Sequence, residues 1–273
     1  MKKVMAILVS LTLICGISIS ALAAGSGAMM QDQKQDQTQD QTREPLKDQS
    51  CQQTEVSAAE REEARLQVRN KFQISDRANT QYQQRAQKME QNGSFFKDID
   101  QHWARAQINS AYCWGLINGY LDGDFNPDGK ISGMEGILMS SRLMNCLLNG
   151  ESSTETTENS IDWNLVPVWA REQLQEKTAL RIAAQSQCYG ETQLNRLEFA
   201  VMLAKAAEIK PADVSANTVV FLDQNDIPAD DLGYVEPLRT LGIIQGNDGC
   251  FCPNQTVTRA EAAVMLIRML EIL

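Results

Sequence analysis

Three glutamates recur in this chain at an interval of 63 residues, each three positions after a residue whose side-chain oxygen can cap a helix. The pairs of cap and glutamate are Ser132 and Glu135, Asn195 and Glu198, and Thr258 and Glu261. An apolar run follows each pair, which completes the capping-box pattern of a helix N-terminus. Such an N-terminus has amide donors and about half a positive charge, so it favours the binding of a carboxylate or a sugar hydroxyl.

Arginine strengthens this chemistry in two of the three copies. Arg196 and Arg259 follow their caps directly, where a guanidinium adds bidentate donors, whereas the first copy has Gly133. We expect the Arg259 side chain to be exposed and the third cap to bind such a ligand most strongly of the three. Only the third copy has both the arginine and the upstream residues Asp248 and Gly249. The alternative is that both arginines merely cover the end of a helical bundle.

The elements that position these residues repeat as well. A fixed interval over three copies indicates one supersecondary unit used three times. In the first copy a helix is predicted over 103–114, and Gly115 ends it because glycine easily adopts the left-handed conformation. A glycine-rich loop over 119–127 follows, and the capped segment then forms a second helix. The second helices are apolar on more than one side, which predicts a central helical bundle.

A calcium loop is the main rival interpretation of the first copy. Asp124, Asn126, Asp128 and Glu135 have the spacing of EF-hand ligands. An EF-hand loop follows directly on a helix, however, whereas glycines precede this one and Pro127 stiffens it. The three equivalent ligand positions of the third copy hold Cys250, Cys252 and Asn254. The sequence therefore predicts neither a metal nor any other cofactor.

No arrangement of residues predicts catalysis. His102 is the single histidine and stands beside Trp103, where packing is the simpler interpretation. Carboxylates are numerous, but a chain with 35 Asp and Glu against 25 Lys and Arg carries most of them on its surface. Nucleophile elbow, P-loop and dinucleotide-binding patterns are absent from the sequence. We therefore expect a protein that is not an enzyme.

The cysteines leave disulfide formation open. After Cys15 the chain has six more, an even number that permits disulfides in an exported protein. Two of the six lie on predicted helices, where a buried thiol is the ordinary interpretation. The Cys250-x-Cys252 spacing is not that of a zinc or redox pair. The six are Cys51, Cys113, Cys146, Cys188, Cys250 and Cys252.

The start of the chain has the pattern of a secretory signal over residues 1–24. Lys2 and Lys3 are followed by an apolar run over 4–19 and by small residues up to Ala24. No later segment has about 20 consecutive apolar residues, so no membrane span is predicted once the signal is removed. The net charge of −10 argues against nucleic acid and against an anionic membrane surface as partners. These features predict an extracellular protein.

Two segments separate the signal from the repeats. Residues 25–54 are rich in Gln and Asp and predict a disordered spacer. Residues 55–92 predict one long helix, with Ser57 and Glu60 as a capping box. Its apolar stripe is thin, so the segment 56–91 could self-associate, lean on the repeats or stay solvated. A polar linker over 149–158 is predicted between the first two repeats.

The residues around the caps resemble the S-layer homology domain. The matching segments of the first copy are Phe96-Lys97-Asp98, Trp103-Ala104 and 115–127, and those of the third are Phe221-Leu222-Asp223, 242–253 and Thr258-Arg259-Ala260-Glu261. The second copy is degenerate, because it keeps Asp162, Trp169 and the capped segment but has no glycine-rich loop. The repeats are then 93–150, 160–210 and 218–273.

The resemblance implies a mainly α fold, with three helix-loop-helix repeats in a pseudo-threefold bundle. It implies a non-catalytic protein of the bacterial cell surface, held on secondary cell-wall polysaccharide, often pyruvylated, in grooves between repeats. The residues expected to bind the polymer are Arg259, Arg196, Thr258, Asp248, Gly249, Trp103 and Trp169. The alternative is an exported scaffold or oligomerising protein whose repeats no longer bind glycan and whose 56–91 helix is the functional part.

Overall fold

A computed structural model describes residues 56–148, 161–214 and 220–273 of the chain. The predicted signal peptide (1–24), the spacer (25–54) and the linker (149–158) lie outside the described residues. These described residues all belong to one compact unit, Gln49–Leu273. Within them, no helix has the length and apolar character needed to cross a membrane.

The fold is mainly α-helical, as the sequence predicts. In the described part of the chain the helices are α1 (Ala58–Lys71), α2 (Asp76–Asn92), α3 (Arg105–Trp114), α4 (Gly133–Cys146), α5 (Arg171–Leu174), α6 (Lys177–Ser186), α7 (Arg196–Ala206), α8 (Ala229–Leu241) and α9 (Arg259–Glu271). Two short strands, β1 (Gln73–Ile74) and β2 (Leu147–Leu148), pair in antiparallel fashion. Helices α3 and α4 lie in the first predicted repeat, α5 to α7 in the second, and α8 and α9 in the third.

The N-terminal segment is two helices and not the single long helix expected over 55–92. Helix α1 ends before Phe72, whose side chain is buried, and Gln73 and Ile74 then pair with β2. Ser75 starts α2, because its hydroxyl accepts a hydrogen bond from the Ala78 amide. Helix α1 packs on α8 and α2 packs on α3, so both helices lean on the repeats.

The capped helices form the centre of the molecule. Helix α4 packs against both α7 and α9, and each of the three contributes fully buried apolar side chains. Examples from the three helices are Ile137, Leu143, Phe199, Leu203, Ala263 and Leu266. Helices that are apolar on several sides must be covered on several sides, which accounts for this central position.

A ring of three backbone hydrogen bonds joins the repeats just before the caps. The amide of Ile131 donates to Val257, the amide of Val257 donates to Leu194, and the amide of Leu194 donates to Ile131. These residues are again 63 positions apart. The ring therefore relates the three repeats by an approximate threefold axis and brings the three capped N-termini together.

Candidate functional site

Each central helix begins with a complete capping box. The side chains of Ser132, Asn195 and Thr258 accept a hydrogen bond from the amide three residues on. The glutamate at that position returns a carboxylate oxygen to the amide of the cap. The third amide of every central helix is thus used within its own cap.

The first two amides of each central helix are also occupied. In α9, the Arg259 amide donates to the Gly129 carbonyl at 2.8 Å and the Ala260 amide donates to the Pro127 carbonyl at 2.9 Å. Helices α4 and α7 make the equivalent bonds to carbonyls of a neighbouring repeat. The expectation that these N-termini offer free amides to an anion is therefore wrong, because a loop of the next repeat already binds them.

Arg259 is buried, contrary to the expectation of an exposed side chain, and is only 4% exposed. Its Nε donates to the carbonyl of Phe125, and its two terminal nitrogens donate to the carbonyl of Asn118 and to a carboxylate oxygen of Glu135, each at 2.8 Å. The guanidinium also lies 4.8 Å from the ring centre of Tyr120. Arg259 therefore ties the third repeat to the first.

Arg196 holds the corresponding place between the second and third repeats. It pairs with Glu261 at 2.8 Å and donates to the Gln245 carbonyl at 3.1 Å. Its side chain is 16% exposed, against 5% for that of Arg259, so more of the Arg196 side chain faces solvent. Its Nε is buried without a hydrogen-bond partner among the described residues.

The third position of this arrangement is empty because Gly133 has no side chain. A Cβ atom there would fall inside contact distance of the Cys188 carbonyl oxygen, which belongs to the second repeat. The degenerate loop of that repeat thus occupies the space that an arginine would need. Only two arginine and glutamate pairs therefore bridge the repeats at their caps in the described structure.

The Phe-x-Asp motifs hold the glycine-rich loops in place. Asp98 accepts hydrogen bonds from the amides of Phe125 and Asn126, one at each carboxylate oxygen. Asp223 does the same for Phe251 and Cys252 in the third repeat. Asn126 has a φ of 56°, a left-handed conformation that these bonds stabilise. The loops are therefore fixed walls for whatever lies beside them.

Two grooves lie beside these loops. Groove 1, of about 230 Å³, takes its loop and capped helix from the first repeat, Trp169 from the second and Arg259 from the third. Groove 2, of about 380 Å³, takes its loop and capped helix from the third repeat, Trp103 from the first and Arg196 from the second. The two grooves are thus pseudo-equivalent, each built from all three repeats.

The matching positions extend along the whole lining. Glu135, Leu138, Met139 and Arg142 of groove 1 correspond to Glu261, Val264, Met265 and Arg268 of groove 2. Each groove therefore holds two arginines and one glutamate, which leaves it positive in a chain whose net charge is −10.

Both predicted polymer-binding tryptophans are exposed. Trp103 is 66% exposed and Trp169 is 51% exposed. An indole ring in this state leaves a large apolar face in water, which is unfavourable unless a ligand covers it. The arrangement offers each groove one flat apolar face beside guanidinium groups, which suits a sugar ring that carries an acidic group.

Comparison with known proteins assigns these repeats. The profile of the S-layer homology domain matches residues 95–135 and 220–263. Residues 95–135 and 220–263 are S-layer homology domains. The chain is also 26% identical over 172 residues to S-layer protein EA1 of Bacillus anthracis and 25% identical over 172 residues to an S-layer protein of Bacillus licheniformis. Each alignment covers 63% of this chain and 19% of the relative, so the chain spans about a fifth of their length. Together the matches indicate an S-layer type of protein at the cell surface or cell wall.

Arg142 and Arg268 are groove residues that the sequence analysis missed. Both lie on the capped helices of the S-layer homology repeats, past the capping box, and Lys205 stands midway between them at the same 63-residue interval. Burial lowers the pKa of both arginines. The interval that revealed the caps could have revealed this row of basic residues as well.

Three predicted polymer-binding residues lie away from the described groove linings. Thr258 caps α9, and Asp248 lies in a turn with a φ of 48°. Gly249 lines a separate cavity beside α1. None of the three is part of either groove lining.

The residues with EF-hand spacing have other partners. Glu135 is bound to the Ser132 amide and to Arg259, and Asp128 lies 3.5 Å from His102 Nε2. The other ring nitrogen of His102 accepts a hydrogen bond from the Ala104 amide, so this histidine is part of the packing around the loop. Within the described ranges, no cluster of His, Cys, Asp and Glu is arranged to hold a metal ion.

The described cysteines are free thiols, which answers the question that the sequence left open for all but Cys51. Two of these cysteines are buried and Cys252 is exposed. The five are Cys113, Cys146, Cys188, Cys250 and Cys252. Cys51 lies outside the described residues.

Proposed function

We propose that grooves 1 and 2 bind a bacterial secondary cell-wall polysaccharide and so hold the protein non-covalently on the wall. The observation that carries this proposal is the pair of pseudo-equivalent grooves, each with an exposed tryptophan beside two arginines. In each groove a sugar ring stacks on the indole. A negatively charged substituent, such as ketal-linked pyruvate, faces the guanidinium groups.

The role of the arginines differs from one groove to the other. Arg259 is saturated by contacts to the first repeat, and its guanidinium lies 4.8 Å from the ring centre of Tyr120 and 4.6 Å from that of Phe125, so its main role is to shape the wall of groove 1. Arg196 keeps more exposed surface and a buried Nε without a partner among the described residues. Groove 2 therefore leaves more of its bridging arginine open to a ligand than groove 1 does.

Binding to purified cell-wall polymer tests the proposal. The full chain is expected to co-sediment with the polymer, and a Trp103→Ala, Trp169→Ala double variant is expected to lose this binding. Leu222→Ala is a matched control, because Leu222 is an exposed apolar residue that lines neither described groove. A folded double variant that binds as well as the Leu222→Ala control would show that the grooves are not the polymer site.

The packing of the N-terminal helices favours polymer binding over the alternative of a scaffold. Helices α1 and α2 cover the third and first repeats, and the structure does not present them as a free element. We propose a non-catalytic function, consistent with the S-layer homology and S-layer protein matches, which are to non-catalytic families. Self-association through residues 56–91 is tested by sedimentation velocity, and a concentration-dependent dimer would revive the scaffold function.

A further inference from the structure

Besides grooves 1 and 2, a strongly basic cavity lies between helix α1 and the third repeat. Its volume is about 580 Å³. Four arginines line it, with Arg61 and Arg65 from α1, Arg239 from α8 and Arg268 from α9. Glu271 is the single acidic side chain in this described lining. Four positive charges against one negative charge make the cavity far more basic than the chain around it.

Two of these arginines, Arg65 and Arg268, make no hydrogen bond to a carboxylate among the described residues. The Nε of Arg65 is buried and has no hydrogen-bond partner among the described residues. Arg268 donates to two uncharged acceptors, the Ile243 carbonyl and the Gln245 side chain. Burial lowers the pKa of Arg239, and although Glu236 opposes this, the neighbouring Arg61 lowers that pKa further. Crowded cations and a buried donor without an acceptor both favour an anion in the cavity.

The place of Arg65 in the third repeat can be compared with that of Arg85, which binds the end of a helix in the first repeat. In the first repeat, Arg85 of α2 takes the equivalent place beside Gly115, where it donates to the Tyr112 carbonyl at the end of α3. Arg65 lies beside Gly242, which ends α8 in the same way, yet its buried Nε stays unbonded. Arg85 thus binds the end of its neighbouring helix, whereas Arg65 makes no such hydrogen bond among the described residues.

The cavity shares a wall with groove 2. Arg268 and Gln245 line both spaces, together with Ile244 and Gly246. A ligand that fills groove 2 therefore lies against residues that also line the cavity. Helix α1 precedes the repeats in the chain, so the cavity extends the groove with residues that the repeats do not supply.

We propose that this cavity binds an oxyanion substituent, a phosphate or a carboxylate, of the polymer that lies in groove 2. Guanidinium groups bind both anions with paired hydrogen bonds, and four of them line this cavity. The assignment of the anion to the polymer rests on the proposed function. The oxyanion site itself rests on the cavity alone.

Titration with inorganic phosphate tests the oxyanion site. In the full chain, phosphate is expected to shift the amide resonances of Gly242, Gly246 and Gly249, which line the cavity. The Arg61→Gln, Arg65→Gln double variant is expected to bind phosphate at least about tenfold more weakly. Arg61→Gln alone, at an exposed position, is expected to weaken binding without disturbing the fold.

Lys88→Gln is the control for these variants, because Lys88 is an exposed cation on α2 outside the described lining of the cavity. This control is expected to bind phosphate as the parent does. Absence of any shift in the parent would contradict the site. Equal phosphate affinity in the parent and in the folded Arg61→Gln variant and double variant would contradict it as well.

Polymer binding then decides where the anion comes from. The double variant is expected to bind native polymer about tenfold more weakly than the parent, and to match the parent on polymer stripped of its phosphate and pyruvate. Undiminished binding of native polymer would refute the polymer assignment. If the parent binds no polymer while phosphate still shifts the cavity resonances, the proposed function fails and the oxyanion site stands.

Discussion

Arg259 shows that a residue of a binding motif can use its hydrogen-bond donors for contacts within the fold. It lies in the first turn of α9, yet its contacts are to Asn118, Phe125 and Glu135 of the first repeat. A buried guanidinium with three hydrogen bonds, one of them to a carboxylate, stabilises the fold only while every partner is in place. Its loss would leave the Glu135 carboxylate without its cation.

We predict that Arg259→Ala lowers the free energy of unfolding by about 3 kcal/mol or more, because hydrogen bonds to charged groups contribute about 1.5–3 kcal/mol each and are not additive. Arg196→Ala is expected to cost about 1 kcal/mol, since its side chain is more exposed and makes fewer contacts. Urea denaturation followed by circular dichroism measures both values. Similar, small losses in the two variants would show that the Arg259 contacts do not stabilise the fold.

Cys146 makes the stability depend on pH in the alkaline range. Burial raises the pKa of its thiol from the usual 9.0 to about 11, because the thiolate is poorly solvated there. The native state therefore holds this proton between pH 9 and 11 while the unfolded state releases it, so stability is full below pH 9 and falls as the pH rises to 11.

We predict that the parent loses up to about 2 kcal/mol more than Cys146→Ala over this interval. Denaturation of both proteins at pH 8, 9, 10 and 11 measures the difference. Parallel pH dependences would show that the thiol ionises as readily in the native state as in the unfolded one.

At pH 8 an alkylating reagent should modify the exposed Cys252 in the native protein, and Cys146 only after unfolding.

Among the elements, the degenerate loop of the second repeat decides how many grooves exist. Its carbonyls at Gly190 and Thr192 bind the first amides of α4, and the Cys188 carbonyl approaches Gly133 so closely that no side chain fits. Five residues after the Phe-x-Asp aspartate, where the first repeat has Trp103, the third repeat has Pro228. The third junction therefore lacks both the arginine and the tryptophan of a groove.

We predict that Gly133→Ala is strongly destabilising, by at least about 3 kcal/mol, because the obstacle is backbone and cannot move aside like a flexible side chain. Gly190→Ala is the matched control, since the nearest atom to its Cβ would be the Thr192 amide nitrogen at 3.9 Å. This control should change stability by less than about 0.5 kcal/mol. Thermal unfolding of the two variants checks the difference, and a stable Gly133→Ala protein would contradict the tight junction.

The helix starts were predictable from the sequence, whereas their surroundings were not. A capping box is a local pattern, so its residues specify the N-terminus of α9 whatever packs nearby. The carbonyls that bind the amides of that N-terminus belong to residues more than 120 positions away in the sequence. No local sequence pattern indicates these long-range hydrogen bonds. Ser75 illustrates a different limit. It interrupts an apolar stripe in the sequence, and only the buried Phe72 and the strand pairing show that it starts a new helix.

The whole molecule combines a negative net charge with two positive grooves. Its net charge of −10 disfavours non-specific binding to anionic surfaces, while each groove and the cavity beside α1 collect arginines. Two grooves related by the approximate threefold axis can bind two segments of one repeating polymer. Such bivalent binding raises the overall affinity without any additional contact.

We predict that the two grooves contribute unequally to polymer binding, with groove 2 the stronger. Groove 2 is larger, its arginine is more exposed, and it shares Arg268 with the basic cavity. Trp103→Ala should therefore weaken binding by roughly tenfold, and Trp169→Ala by less, because covering an indole face contributes about 1.5 kcal/mol or more. Both tryptophans are exposed, so both variants should unfold at the temperature of the parent. Isothermal titration with purified polymer compares them, and a larger loss in Trp169→Ala would assign the main site to groove 1.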